Sequence, residues 1–256
     1  MTPPRRADLS GVLVKIERAK THLKDFDRRA RRVVDACRKA IVREHDQQRS
    51  EYVYRFRQVT PIPTMMSAVI GDAIHNLRVS LDHLAWQLVI AGGGQPNDTT
   101  SFPVLEVPPT ANRYGLVRVQ ISPGVSKELG RILDEVQPYK RAKPANHPLA
   151  TLHRLDISDK HRELLIGVIG VQFLGWFGPA PISFNPGPYQ DGAEVCRFPR
   201  TSRGDEGQPD PVITFAVRLD EPGAGPWGRM IGATDLIGQS LRYIEDEVLP
   251  RFRGYF

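Results

Sequence analysis

The sequence predicts an α+β protein: a bundle of long helices with a strand or β-hairpin insertion, and a β-rich C-terminal part closed by a final helix. Three observations predict it. Leu9, Val12, Leu13, Ile16, Ala19, Leu23, Phe26, Ala30, Val33, Cys37, Ala40 and Ile41 recur every three or four residues, one apolar seam on a helix of about 35 residues. Tyr52, Tyr54 and Phe56 alternate with Val53, Arg55 and Arg57, the period of a strand. Near residue 163 helical periodicity gives way to runs rich in Val, Ile and Phe, cut by Gly and Pro.

Asp8 or Ser10 can cap the first helix. Pro61 and Pro63 end the strand. The second helix spans Thr64 to Ile90, with Ile70, Ala73, Ile74, Leu77, Leu81, Leu84 and Leu88 as its apolar stripe and Gly92-Gly93-Gly94 as its stop. A loop from Gln95 to Thr110 carries Phe102-Pro103-Val104 as an anchor to the body. Short helices follow at Ser126–Val136 and Pro148–Ile157. Strands are expected at Leu164–Phe177, Pro181–Phe184, Ala193–Phe198 and Pro211–Val217, and a last amphipathic helix at Thr234–Val248. The shift near 163 divides the chain into a helical part, 1–162, and a β-rich part, 163–256, packed on the first as one unit.

The 256 residues are 40% hydrophobic, enough for a core. No apolar run approaches the ~18 residues of a membrane span, and no apolar stretch behind Met1 forms a signal peptide, so a cytoplasmic protein without membrane contact is expected. Cys37 and Cys196 lie far apart and form neither a disulfide framework nor a Cys-based zinc site. The net charge of +6 permits a polyanion such as RNA without demanding one, and the run Arg28, Arg29, Arg31, Arg32, Arg38, Lys39 reads as a solvated helix face. Gly-rich phosphate loops, Ser-His-Asp signatures and HExxH are absent.

The second helix carries the candidate site. At 100° per residue, Asp72, His75, Asn76, Val79, Asp82 and His83 share a face, with Arg78 at its edge. These are types that titrate or hold directed hydrogen bonds, unlike a Lys/Glu solvent face. A second constellation, His153-Arg154-Leu155-Asp156-Ile157-Ser158-Asp159-Lys160-His161-Arg162, ends either as a solvated helix terminus or facing the stripe. Two chemistries fit. Arg78 and His83 suit metal-independent RNA cleavage, the histidine moving protons and the guanidinium holding phosphate. Alternatively a metal is bound by His75, His83 and His161 with one of Asp72, Asp82, Asp156 or Asp159, the set His83, His161 and Asp159 among them, with His153 and Asp156, or His161 and Asp159, completing a site around only one of His75 and His83. His75 and His83 are about 12 Å apart along the axis, too far to share one ion easily. No cofactor is expected under the first chemistry, and a third reading is a non-catalytic binding or interaction protein that uses the stripe for internal hydrogen bonds or a small ligand.

Gly71-Asp72-x-x-His75-Asn76-Leu77-Arg78-x-x-Leu81-Asp82-His83-x-x-Trp86, with Phe102-Pro103, Gln137-Pro138-Tyr139 and Asp159-Lys160-His161-Arg162, resembles a bacterial, largely actinobacterial, protein family without an established activity. The Leu-Arg-x4-His segment is similar to the signature of HEPN domains, all-α units that pair as dimers and are often metal-independent ribonucleases. That resemblance implies an RNA endonuclease in which Arg78 stabilises the transition state and His83 moves protons, and it extends to those two positions alone. Asp72, His75, Asn76, Asp82, Asp159, His161 and Arg162 are read from the stripe and the second constellation as supporting or ligand-binding residues. Val79 departs from the family pattern, which places Asn, Asp or His after the arginine. The Leu9–Ile41 seam requires another long helix or a second copy of the chain, and a homodimer through this helix is expected.

Overall fold

The computed structural model describes residues 6–57, 61–108, 127–174, 183–185, 187, 189–200 and 212–256. The apolar seam forms α1, Ser10–Lys39. Asp8 starts it, its carboxylate accepting the Ser10 amide at 2.7 Å, and Arg38 and Lys39 sit in the last turn, where cations oppose the helix dipole. The polar-striped segment forms α2, Met65–Ala91, ended by Gly92 and by Gly93 in the left-handed region (φ 76°). α1 lies along α2, the most extensive contact between any two elements. Val12, Ile16, Ala19, Phe26 and Ala30 are buried in it, so the seam is filled from within the chain. Leu13 and Val14 remain exposed.

Between these helices the chain forms a hairpin of β1, Ile41–Asp46, and β2, Glu51–Phe56, with Asp46 opposite Glu51. The sequence reading placed Ile41 on the helix and missed β1, whose charged residues Arg43, Glu44 and Asp46 carry little apolar pattern. After α2, α3 spans Lys127–Glu135 and α4 spans Pro148–His161. The expected end of α4 at Ile157 is corrected: the helix runs one turn further, supported by an Asp156–Lys160 pair at i,i+4.

The C-terminal strands are β3, Ile166–Leu174; β4, Ser183–Phe184; β5, Glu194–Pro199; and β6, Val212–Leu219. Residues 126, 175–177, 181–182 and 211 of the expected elements lie outside the described residues. β3 pairs with β6 as an antiparallel ribbon, and the other four strands form a sheet ordered β1-β2-β5-β4. The β2–β5 pairing joins the two sides of the residue-163 division in one sheet. Phe56, Tyr189 and Phe215 pack ring against ring, and Phe198 packs edge-on against Tyr54. The final helix, α5, covers Ala233–Arg242 and continues through a π-helical segment, Tyr243–Val248, into the turn Leu249–Phe252. Pro250, which has no amide proton to return to the preceding turn, sits where the regular ladder fails. The architecture is α+β, as the sequence predicts. No helix among the described residues is long and apolar enough to cross a membrane.

Candidate functional site at the α2/α4 seam

α2 and α4 run antiparallel, and their residues meet in order. The Ser67 hydroxyl donates to the Leu164 carbonyl (2.8 Å). One turn on, Gly71 faces Asp159 so closely that a Cβ at Gly71 would overlap the carboxylate. His75 follows, its Nδ1 3.1 Å from Asp156 Oδ1. Arg78 then meets the region of His153, whose ring feels the charges of Arg78, Asp82, Asp156 and Lys160. The periodicity on α2 (71, 75, 78) is answered by that on α4 (159, 156, 153), the ordinary i,i+3/i+4 spacing of one helix face.

The sequence placed the polar residues of α2 on one face. The structure divides them between two neighbours. His75, Arg78 and Asp82 turn toward α4 and the loop after α2. Asp72 and His83 turn toward α1: Asp72 Oδ2 lies 3.8 Å from His22 Nδ1, and the His83 ring packs against Gly11, where a Cβ would stand 3.2 Å from His83 Nδ1. Arg78 and His83, five positions and roughly 140° apart on the helix, do not meet within one chain.

Arg78 is only 7% exposed. Its Nη1 donates to Asp82 Oδ1 (2.7 Å) and its Nη2 to the Phe102 carbonyl (2.9 Å). Asp82 Oδ1 also accepts the Phe102 amide (2.9 Å). The pair therefore grips both backbone groups of Phe102, whose ring is buried, and the Phe102-Pro103-Val104 anchor expected from sequence is held this way. Gln137 secures the next residues, donating to the Pro103 carbonyl (3.1 Å) and accepting the Leu105 amide (3.0 Å). Asn76 donates to the Asp72 carbonyl of its own helix (2.8 Å).

The Asp159-Lys-His-Arg segment separates into different roles. Asp159 faces α2. Burial, then the Asp156 charge, hold its carboxyl above the ordinary carboxylate range, with Asp72 adding to the effect and His75 opposing it. Lys160 Nζ donates to Asp156 Oδ2 (2.6 Å). His161 is exposed. Arg162 leaves the seam and forms a two-pronged pair with Glu221 (2.9 and 2.6 Å), which is fully buried and also accepts the Leu165 amide (2.7 Å). Arg162 is thus committed to anchoring the entry to β3.

The alternative metal set of His83, His161 and Asp159 does not assemble. His83 stands twelve residues from Gly71, about 18 Å along α2, whereas Asp159 lies on Gly71. Among the described residues no group of three His, Cys, Asp or Glu side chains converges on one point.

What remains is a three-residue arrangement. Asp156, whose side chain is 2% exposed, accepts from His75 Nδ1 and from Lys160. The His75 side chain is 47% exposed. A carboxylate partner at Nδ1 fixes the proton there and leaves the Nε2 lone pair as the free acceptor. From sequence, Asp156 and His153 enter only as members of the second constellation and as candidate metal ligands, and neither is read there as a partner for acid–base chemistry. His153 and Asp156 already stand at i,i+3 within the predicted helix, and its continuation past Ile157 adds Asp159 and Lys160 to the same side. Compared with protein-family models, with curated proteins and with solved structures, the chain matches none.

Proposed function

We propose that this chain carries an acid–base site at the α2/α4 seam, with His75 as the proton-transferring group, Asp156 as its orienting partner and Lys160 as the neighbouring cation. One observation carries the reading: a half-exposed imidazole is anchored through Nδ1 on a buried carboxylate. This is how a general base is held in one tautomer and one orientation. The reaction that suits it is hydrolysis without a metal. His75 Nε2 takes a proton from water as its oxygen bonds to an electrophilic carbon. The bond to the leaving oxygen or nitrogen then breaks, and the imidazolium returns the proton to that leaving group.

The RNA cleavage implied by the Arg78-x4-His83 resemblance requires those two side chains in one cleft. Within one chain Arg78 is enclosed and His83 faces α1, so that chemistry would have to be completed by a second copy. A separate reading, a non-catalytic interaction protein, is favoured by a specific observation: Arg78, Asp82, Asn76 and Arg162 all direct their hydrogen bonds to partners inside the fold.

The test is a hydrolysis screen in excess EDTA with single-stranded RNA and with neutral and cationic esters and amides. The proteins are wild type, His75→Gln, Asp156→Asn, Arg78→Ala and His83→Ala, each checked for folding. The proposal expects turnover that His75→Gln lowers by about 10²–10⁴-fold while His83→Ala leaves it nearly unchanged. RNA cleavage to 2′,3′-cyclic ends, lost in both Arg78→Ala and His83→Ala, would return the function to the motif. No turnover of any substrate would favour the interaction protein.

A further inference from the structure

We infer that the cap at the start of α4 is an acid-operated release: His147 is seated only while its ring is neutral, and one proton on Nδ1 frees residues 141–147 and the first turn of α4 while the α1/α2 pair stays folded. This device lies at the opposite end of α4 from Asp159 and Lys160 and is independent of the His75 reading. His147 holds an extended backbone at the N-cap (φ −69°, ψ 137°). Its carbonyl accepts the Thr151 amide (3.0 Å), and its Nδ1 accepts the Leu149 amide (3.2 Å). A ring nitrogen that accepts carries no proton, so the neutral ring has its proton on Nε2. The residue is 4% exposed, and Nε2 is buried without a hydrogen-bond partner among the described residues.

The seat does not accommodate a second proton. On Nδ1 it would face the Leu149 N–H, donor against donor, and end the cap. Burial first, then the Arg141 charge, push the ring down to about 4, and the positive end of the α4 dipole acts in the same direction. From the final helix the facing titratable group is Tyr243, whose ring meets His147 edge-on at 4.5 Å and whose hydroxyl donates to the Val136 carbonyl (3.2 Å). Among the described residues no carboxylate pairs with His147 to offset these effects. The chain around the cap is the part able to leave. Residues 141–143, 145 and 146 are exposed. Among the described residues, the side-chain bonds tying 141–148 to the body are Arg154 Nη2 to the Ala145 carbonyl (2.5 Å) and Ser240 Oγ to the Pro148 carbonyl (3.0 Å). Sparse ties let a segment open at a lower free energy than the whole fold. Release uncovers Leu149 and Leu152, both fully buried.

Hydrogen exchange of the wild-type protein, read as protection factors from about pH 7 to about pH 4.5, tests the release. Protection of the Leu149 and Thr151 amides is expected to fall about tenfold per pH unit below about pH 6.5, as the uptake of one proton on opening requires. The Leu77 and Leu81 amides of α2 are expected to keep their protection over the same range. His147→Asn keeps an acceptor for the cap and does not titrate, so protection at Leu149 and Thr151 should not change with pH in that variant. Long-range ¹H–¹⁵N spectra of the wild type near neutral pH should show His147 as the Nε2–H tautomer. Flat protection at Leu149 and Thr151 in the wild type would overturn the inference, as would a pH slope that survives His147→Asn. A parallel loss at Leu77 and Leu81, which is global acid unfolding, would overturn it too. So would a dominant Nδ1–H form of His147, since Nδ1 could then not accept the Leu149 amide.

Discussion

Asp159 lies with its carboxylate against the bare backbone of Gly71, so that a Cβ there would overlap it. Glycine inside a 27-residue helix costs about 1 kcal/mol relative to alanine, and here it permits the contact with Asp159. Gly71→Ala is expected to destabilise the protein by about 1–3 kcal/mol in chemical denaturation, through overlap with Asp159. In an Asp159→Ala background the same change should become neutral or stabilising by up to about 1 kcal/mol, because only the helix-propensity gain is left. Equal effects in both backgrounds would mean that the two residues are not coupled.

Asp159→Asn alone tests the cost of the part-buried charge. Burial raises this carboxyl, so the fold favours its protonated form. The associated stability is present below the ordinary carboxyl range and lost as pH rises through the raised value. The asparagine variant is therefore expected to be more stable than wild type at neutral pH, with the difference closing as the medium is acidified. Thermal unfolding at a series of pH values reads this directly.

Arg78 is expected to act as a clasp. Arg78→Ala leaves the Phe102 carbonyl and one side of Asp82 without their donor in a largely enclosed place, a loss of about 3–5 kcal/mol. Arg78→Lys should recover only part of this, since an ammonium cannot reproduce the planar two-pronged grip. Hydrogen exchange should show residues 95–107 opening in both variants while α1 stays protected. A variant that loses activity with the loop still closed would instead give Arg78 a direct part in chemistry.

A second histidine is expected to contribute to acid stability. His147 caps α4, its Nδ1 accepting the Leu149 amide (3.2 Å) while its ring packs edge-on against Tyr243. Burial first, then the Arg141 charge, push it down to about 4. The fold favours neutral His147, whereas the unfolded chain binds the proton near pH 6.5. Stability should therefore fall as pH drops from about 6.5 to about 4, by up to about 3 kcal/mol, and change little above that window on this residue's account. His147→Asn keeps an acceptor for the cap and removes the titration, so its unfolding free energy should lose most of that slope.

The long elements were legible because their apolar residues repeat at helical spacing over many turns. α1 and α2 were located to within a residue or two, and Gly92-Gly93 marked the end of α2. β1 was not legible, because its outward charges mask the alternation and its pairing with β2 arises only in three dimensions. The site was half legible. Its residue types and its two segments stood out, but a helical wheel does not say which neighbour covers which edge. Asp82 and His83 are adjacent in sequence, yet one turns to the Phe102 loop and the other to α1. Placing His75 with Asp156 required the antiparallel register of α2 and α4, which is set by small contacts such as Gly71 on Asp159 that leave no periodic signature. The seam of α1, from which a homodimer was expected, is filled by α2.

The central claim is that His75 presents a lone pair at Nε2 because Asp156 holds the proton on Nδ1. Long-range ¹H–¹⁵N correlation spectra of the protein at a pH where His75 is neutral report this tautomer directly. The account predicts the Nδ1–H form for His75, lost from its dominant position in Asp156→Asn. A dominant Nε2–H form in the wild type, or an Asp156→Asn spectrum identical to it, would contradict the account.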